Sequence, residues 1–347
     1  MRGRRVLALL GMTIVAPAVT ACAGDPGPAA TPAPSTPDAA ATSAAAAPKA
    51  GASTVAPGDA GIGHGPKATR SPKPGAGGPA WTSVTSWVYQ LQDYAGDGLT
   101  GIARAPHDLA VVDLARDAKS DYFRPDEVAA VRASGKRVLA YFEIGSIEDF
   151  RSDYATVRGT PGLTLNEWPD WPGEYFVRYW DERWWELAVR PRVDQALRAG
   201  FDGVYLDTPL AYEEIDLSLV PRESRDRLGA RMAALIMRIS AYAKQRRPGF
   251  GVFPQNSPEL RRYPGYTKAI DGIGMEELFY LATDRPCTES WCAENLSETR
   301  ALRDAGKLVL AVDYATAPAA VRDARARQAA ERFAGCVTVR DLDRIND

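Results

Sequence analysis

The stretch GFDGVYLDTP, residues 200–209, decides the fold. Gly200 stands where a helix would stop, at the C′ position that favours a left-handed backbone. Val204, Tyr205 and Leu206 form an apolar run of the kind found in a strand covered on both faces. The run then ends on a carboxylate, Asp207, two residues before Pro209. A strand buried on both faces that finishes on a charge needs a reason. Parallel α/β architecture supplies one, because functional side chains gather at the C-terminal ends of its strands, where the loops are free to vary.

Seven further apolar runs repeat the pattern: SWVYQLQ (86–92), DLAVVDLA (108–115), RVLAYFEIG (137–145), FGVFPQN (250–256), IDGIGMEE (270–277), LVLAVDY (308–314) and CVTVRDL (336–342). Helical patterns separate them. In the clearest, Leu228, Met232, Leu235, Ile236, Ile239 and Tyr242 recur on one helical face. Gly135 and Gly306 stand, like Gly200, as helix stops just before the next strand. Eight strand–helix units in residues 81–347 predict an α/β fold of the (β/α)8 barrel type, whose usual size is about 250 residues. An open doubly wound sheet is the alternative. The first unit is thin, since residues 93–107 hold several glycines and Pro106. Its GDGLTG (96–101) fits G-x-G-x-x-G but leaves no room for the long helix whose N-terminus would hold a dinucleotide.

Asp113, Glu143, Asp207, Asn256, Glu276 and Asp313 all sit where an apolar run ends. Alternation of side chains assigns two of the acids to a face. Asp207 shares its face with Tyr205, and Glu276 shares one with Gly272 and Gly274, while the aliphatic neighbours point the other way toward the helices. Asp207 and Glu276 are therefore expected in the lumen on strands four and six, in one layer of the barrel. Backbones two strands apart are roughly 9–10 Å apart, and inward side chains shorten the gap. The two glycines beneath Glu276 leave space for a neighbour or a ligand. Paired carboxyls across a cleft, one protonated and one ionised, are what glycosidic bond hydrolysis requires.

The body resembles the endo-α-1,4-polygalactosaminidases, glycoside hydrolase family 114. The resemblance lies in WVYQLQ, YFEIGSIEDFRSD, EYFVRYWDERW, GFDGVYLD, PQN and MEELFY, in order along residues 81–347. It implies a glycosidase of amino-sugar polysaccharides that needs no cofactor, with a catalytic pair falling on Asp207 and Glu276. Asp207 is read as nucleophile and Glu276 as general acid/base, the exchanged roles being the alternative. The chain departs from the family pattern at Leu210, where a second aspartate is common, and at Glu143, where serine is common. Gln92, Asp113, Glu143, Arg151, Trp168, Trp171, Tyr205, Asn256 and Asp313 are the expected substrate-binding residues. An acidic rim of this kind would attract the cationic amines of a deacetylated polymer. Five tryptophans from Trp168 to Trp185 include stacking candidates for sugar rings, Trp168 and Trp171 foremost. A non-catalytic carbohydrate-binding lipoprotein on the same barrel is the competing reading.

The rest of the chain bears on location and on what is excluded. MRGRR, an apolar run and VTAC at 19–22 read as a lipoprotein-type signal peptide, with Cys22 as the lipidated residue and membrane anchor, ordinary cleavage near ACA and secretion without a lipid being the alternative. Residues 23–80 are almost entirely Ala, Pro, Gly, Ser and Thr and are read as a disordered tether. The protein is thus expected outside the cytoplasm, as a monomer. A net charge of −2 without a basic stripe argues against nucleic acid. Two histidines are too few for a histidine zinc site or a Ser-His-Asp triad. No metal is expected, a hard cation on the carboxylates being the remaining alternative. Cys287 and Cys292 are placed to close a small disulfide, leaving Cys336 unpaired.

Overall fold

The computed structural model describes residues 80–346 apart from 95 and 97. The signal peptide, Cys22 and the tether up to residue 79 lie outside the described residues. Eight parallel strands form a closed ring: β1 (Trp87–Tyr89), β2 (Leu109–Asp113), β3 (Arg137–Glu143), β4 (Gly203–Asp207), β5 (Gly251–Pro254), β6 (Gly272–Glu276), β7 (Leu308–Tyr314) and β8 (Ala334–Thr338). Strands β1 to β5 make one hydrogen-bonded arc and β6 to β8 another. Parallel bridges from Gln255 to Gly274 and from Ser86 to Gly335 join the two arcs. Every apolar run named above contributes one strand.

Helices α1 (Thr100–Arg104), α2 (Pro125–Ala133), α3 (Arg190–Ala199), α4 (Arg225–Arg246), α5 (Tyr266–Ala269), α6 (Ser290–Asp304) and α7 (Pro318–Ala330) follow the first seven strands in turn. α1 is as short as its glycines and Pro106 allow. The α4 face of Leu228, Met232, Ile236 and Ile239 is fully buried. Gly135, Gly200 and Gly306 adopt φ of 95°, 87° and 80°, which an L side chain rarely takes. Asp181 caps the first turn of the helical segment leading to α3 by accepting from the Arg183 N–H at 2.9 Å.

The lumen is filled mainly by aromatic side chains. Trp87, Tyr89, Tyr141, Tyr205, Phe253 and Tyr314 share it with Leu139, Leu310, Val312 and Cys336. Tyr205 stacks on Tyr141 with centroids 6.3 Å apart and lies 5.4 Å from the Tyr89 ring. The space over the β6 glycines goes to neighbours: a Cβ on Gly274 would fall 1.9 Å from the Tyr205 hydroxyl, and one on Gly272 would fall 2.3 Å from Phe253. Both obstacles are ring atoms packed inside a closed barrel. Gly274→Ala is therefore expected to destabilise by about 2–3 kcal/mol through overpacking, read as a lower melting temperature than that of a surface Gly→Ala control.

The excursion between β3 and α3 contains an antiparallel sheet of Ser146–Glu148, Thr164–Glu167 and Glu174–Val177, with Glu174–Val177 in the middle. The segment after β6 carries a short hairpin, Tyr280–Leu281 with Arg285–Pro286, closed off by the Cys287–Cys292 disulfide. Cys336, the remaining described cysteine, is buried in the lumen. Among the described residues no helix is long and apolar enough to cross a membrane.

Candidate active site

Strand parity delivers Asp207 and Glu276 to the open end of the lumen, above Tyr205 and Gly274. Each acid is held by donors from its neighbours. The Tyr141 hydroxyl makes a very short bond to Asp207 Oδ2, and the Thr208 N–H donates to Asp207 Oδ1 at 2.6 Å. The Tyr314 hydroxyl donates to Glu276 Oε1, and the Gln255 amide donates to Glu276 Oε2. Asn256 adds a bond to that same oxygen at 3.1 Å, and its own carbonyl accepts the Glu276 N–H at 3.0 Å. Tyr89 fixes the Gln255 amide from below, donating to Oε1 at 3.0 Å. Thr208, Asn256, Ser257 and Glu277 all take left-handed φ, between 53° and 59°. Strain of this kind gathers where a site is held against local preference.

Electrostatics divides the pair. Burial, and then the charge of Glu276, push the Asp207 carboxyl up to about 7, so Asp207 is poised to take up or release a proton near neutrality. Burial followed by Glu276 likewise lifts Glu277 to about 7. Because the folded pKa of Asp207 lies above its unfolded value, the folded state binds more protons between the two. Stability is therefore lost as pH rises from about 4 through about 7. Asp207→Asn removes that penalty and keeps an oxygen for Thr208. It is expected to stabilise the protein at pH 8 by about 2 kcal/mol, discounted for the wet rim, with no gain at pH 4. Melting curves at both pH values check it.

The expected acidic rim is smaller than the sequence implies. Asp113 and Glu143 have lumen parity but are 2% and 1% exposed. Arg151 takes up Asp113 through Nη1 at 3.0 Å, Glu143 at 3.3 Å and Glu148 at 2.7 Å. Arg192 of α3 adds a second bridge to Glu143 at 3.0 Å. Burial, the leading cause, still holds Glu148 at about 8 against the opposing pull of Arg151. Asp313 lies outside the lumen, because Val312 and Tyr314 take the inward positions of β7. Its oxygens accept from the Phe279 and Tyr280 N–H groups and from Gln328, so it orders the loop after β6 instead of lining the cleft. Of the five acids in the expected rim, Asp207 and Glu276 are the two without an arginine partner that face the cleft.

The other expected contacts also divide. Tyr205 is 0% exposed and forms the floor beneath the carboxyls, out of reach of a ligand. Gln92 is exposed and donates to the Asp341 carbonyl, bracing the exit of β8. Asn256 orients Glu276. Trp168 is buried against Phe176, with ring centroids 5.2 Å apart. Trp171 is 44% exposed and meets the Arg340 guanidinium, from the exit of β8, at 5.3 Å. Leu210 packs on the core in place of an acid. Tyr141, Tyr314 and Gln255 were not singled out in the sequence, although parity with Glu143 and Val312 would have revealed both tyrosines. Among the described residues no group of three or more histidine, cysteine or carboxylate side chains is placed to hold a metal ion.

A closed ring with two carboxyls at its mouth can be set beside known proteins. The sequence profile described as Glycoside-hydrolase family GH114 matches residues 68–347. The chain belongs to that family. As a GH114 member it is a glycosidase on a (β/α)8 barrel. A relative from Deinococcus radiodurans, described only as uncharacterized, is 34% identical over 290 residues, covering 82% of this chain and 91% of its own. Two solved structures share the barrel fold. One is the glycoside hydrolase domain of PelA from Pseudomonas aeruginosa, with 17% identity, a TM-score of 0.59, and coverage of 76% of this chain and 98% of that one. The other is Aspergillus fumigatus Ega3 in complex with galactosamine, with 18% identity, a TM-score of 0.59, and coverage of 76% and 94%. At these identities the likeness is one of fold.

Proposed function

We propose that the protein hydrolyses glycosidic bonds in a galactosamine-type polysaccharide outside the cytoplasm, with Asp207 and Glu276 as its catalytic carboxyls. The observation that carries this reading is two carboxyls at the mouth of one lumen, each clamped by a lumen tyrosine, and the Asp207 carboxyl, pushed up to about 7 by burial and the charge of Glu276, supports it. One carboxylate attacks the anomeric carbon while the other gives its proton to the departing sugar oxygen as the glycosidic bond breaks. Water then attacks the glycosyl ester and returns the proton to the second carboxyl. Galactosamine as the sugar is supported by its presence in the Ega3 complex. Deacetylated units fit best, since Asp207 and Glu276 present carboxyls to the cleft, held by tyrosine, amide and backbone donors.

Incubation with partly deacetylated α-1,4-linked galactosamine oligomers tests the reading. Release of shorter oligomers is expected, and the Glu276→Gln protein should release none. Tight binding without cleavage by the parent protein would favour the non-catalytic carbohydrate-binding alternative. Azide assigns the roles. With α-linked substrate, a glycosyl azide of inverted (β) configuration from Asp207→Ala and of retained (α) configuration from Glu276→Ala makes Asp207 the nucleophile. The converse exchanges the two parts, which is the arrangement matching a free-protein proton resting on Asp207.

A further inference from the structure

Glu174 opens the central strand of the excursion sheet and is 8% exposed. Its carboxyl lies 2.5 Å from Ser146 Oγ, which lies 2.9 Å from Thr208 Oγ1. The Thr208 hydroxyl in turn lies 2.8 Å from the Asp207 carbonyl oxygen and accepts the Gly145 N–H at 3.0 Å. Thr208 holds φ of 58°, a genuine outlier for a β-branched residue that persists only where the surroundings over-determine it. That turn is what aims the Thr208 N–H at Asp207 Oδ1.

Proton counting gives the state of Glu174. Ser146 and Thr208 each have one hydroxyl proton, so the protons run along the chain in one direction or the other. Either a protonated Glu174 donates to Ser146, Ser146 to Thr208, and Thr208 to the Asp207 carbonyl, or the first two bonds reverse toward an ionised Glu174 and the third is lost, leaving the carbonyl without its hydroxyl donor. Burial, and after it the negative charges of Glu148 and Asp207, hold the Glu174 carboxyl well above the usual carboxylate range. This selects the first arrangement.

We propose that Glu174 is a positioning residue, a neutral buried acid that aims the Asp207 carboxyl through Ser146 and Thr208. The inference rests on the reading of Asp207 as catalytic. The same residue closes the tryptophan loop above the cleft, its carbonyl accepting the Trp168 N–H at 2.8 Å and its own N–H donating to the Trp171 carbonyl at 3.0 Å.

Glu174→Gln, Glu174→Ala and Ser146→Ala are compared with the parent on the same galactosamine oligomers. The Asp207 carboxyl is also titrated by carbon-13 NMR in aspartate-labelled protein, with Asp207→Asn giving the assignment. The glutamine amide can donate to Ser146 as the neutral acid does, so Glu174→Gln should keep kcat within about threefold and leave the titration unmoved. Ser146→Ala breaks the middle link, and its kcat should fall about 10–100-fold with KM unchanged, as expected for a misaimed group. Its Asp207 titration should move to higher pH, because the ionised form loses a donor. Glu174→Ala should follow Ser146→Ala, which also stands as the folded probe if the larger truncation fails to fold. A Ser146→Ala protein with parental kcat and titration, or a Glu174→Gln protein as impaired as Glu174→Ala, would overturn the proposal. Undiminished activity of Asp207→Asn would instead remove the reading beneath it, whatever the Glu174 variants do.

Discussion

Glu276→Gln is expected to lower turnover by about a thousandfold or more while leaving the fold intact, because it removes a catalytic carboxyl without removing a shape. The neighbours decide whether glutamine fits. Gln255 and Asn256 both present N–H groups to Oε2, so an amide nitrogen there would face two donors. With the amide turned, its oxygen meets Gln255 and Asn256 and its nitrogen meets Tyr314, whose hydroxyl rotates from donor to acceptor. Every polar atom of the new amide then has a partner and the one bond lost is that donated by the Tyr314 O–H, so the melting temperature should stay within about 4 °C of the parent, about 1 kcal/mol for a domain of this size. Rates on galactosamine oligomers and thermal melts read the two effects apart. A folded Glu276→Gln protein retaining a tenth of parental turnover would remove Glu276 from the chemistry.

The proposed carboxyl pair was legible because it needs only period two. Tyr205 and Asp207 share a face whatever the loops do, and so do Gly274 and Glu276. The same logic extends to Tyr141 and Tyr314, whose hydroxyls clamp the pair. They escaped notice because tyrosine in an apolar strand reads as core, and their rings are indeed packed in it while their hydroxyls reach the rim. What failed was the reading of charge. Asp113 and Glu143 carry the lumen parity of rim acids, but Arg151 from the excursion and Arg192 from α3 converge on them. Arg192 sits on a helix face that periodicity cannot aim at one strand end. Asp313 was misplaced for a simpler reason: a rim carboxylate was inferred from its position at a strand end without testing its face. Glu174 was out of reach altogether. Its place beside Ser146 and Thr208 depends on an antiparallel register within the excursion, where Glu148 pairs with Glu174 and Ser146 with Phe176. No hydrophobic alternation in that stretch announces this register.

The same charge network yields the largest expected effect on stability, at Arg151→Met. The guanidinium is buried among Asp113, Glu143 and Glu148, with Asp113 held through both of its oxygens at 3.1 and 3.0 Å. Methionine fills the stem volume but leaves three carboxyls facing one another, with Arg192 still bridging Glu143. Removing one partner of a buried ion pair costs about 3–5 kcal/mol, which for a domain of this size is a fall of about 10 °C in melting temperature. The pH dependence follows from the sign of the shifts. Burial already lifts Asp113 and Glu148 above their usual range against the pull of Arg151, and loss of the cation lifts them further. Acids with raised folded pKa values cost stability progressively as pH climbs above about 4, their unfolded value. The deficit of Arg151→Met should thus be smallest near pH 4 and widest near pH 8, where Glu148 of the parent begins to ionise while that of the variant keeps its proton. Arg151→Lys should fall between parent and methionine, since an ammonium supplies the charge but not the fork that reaches three carboxyls at once. Thermal melts of the three proteins from pH 4 to pH 8 measure this, and a methionine deficit that stayed constant with pH would show that Arg151 acts there through packing and not through charge.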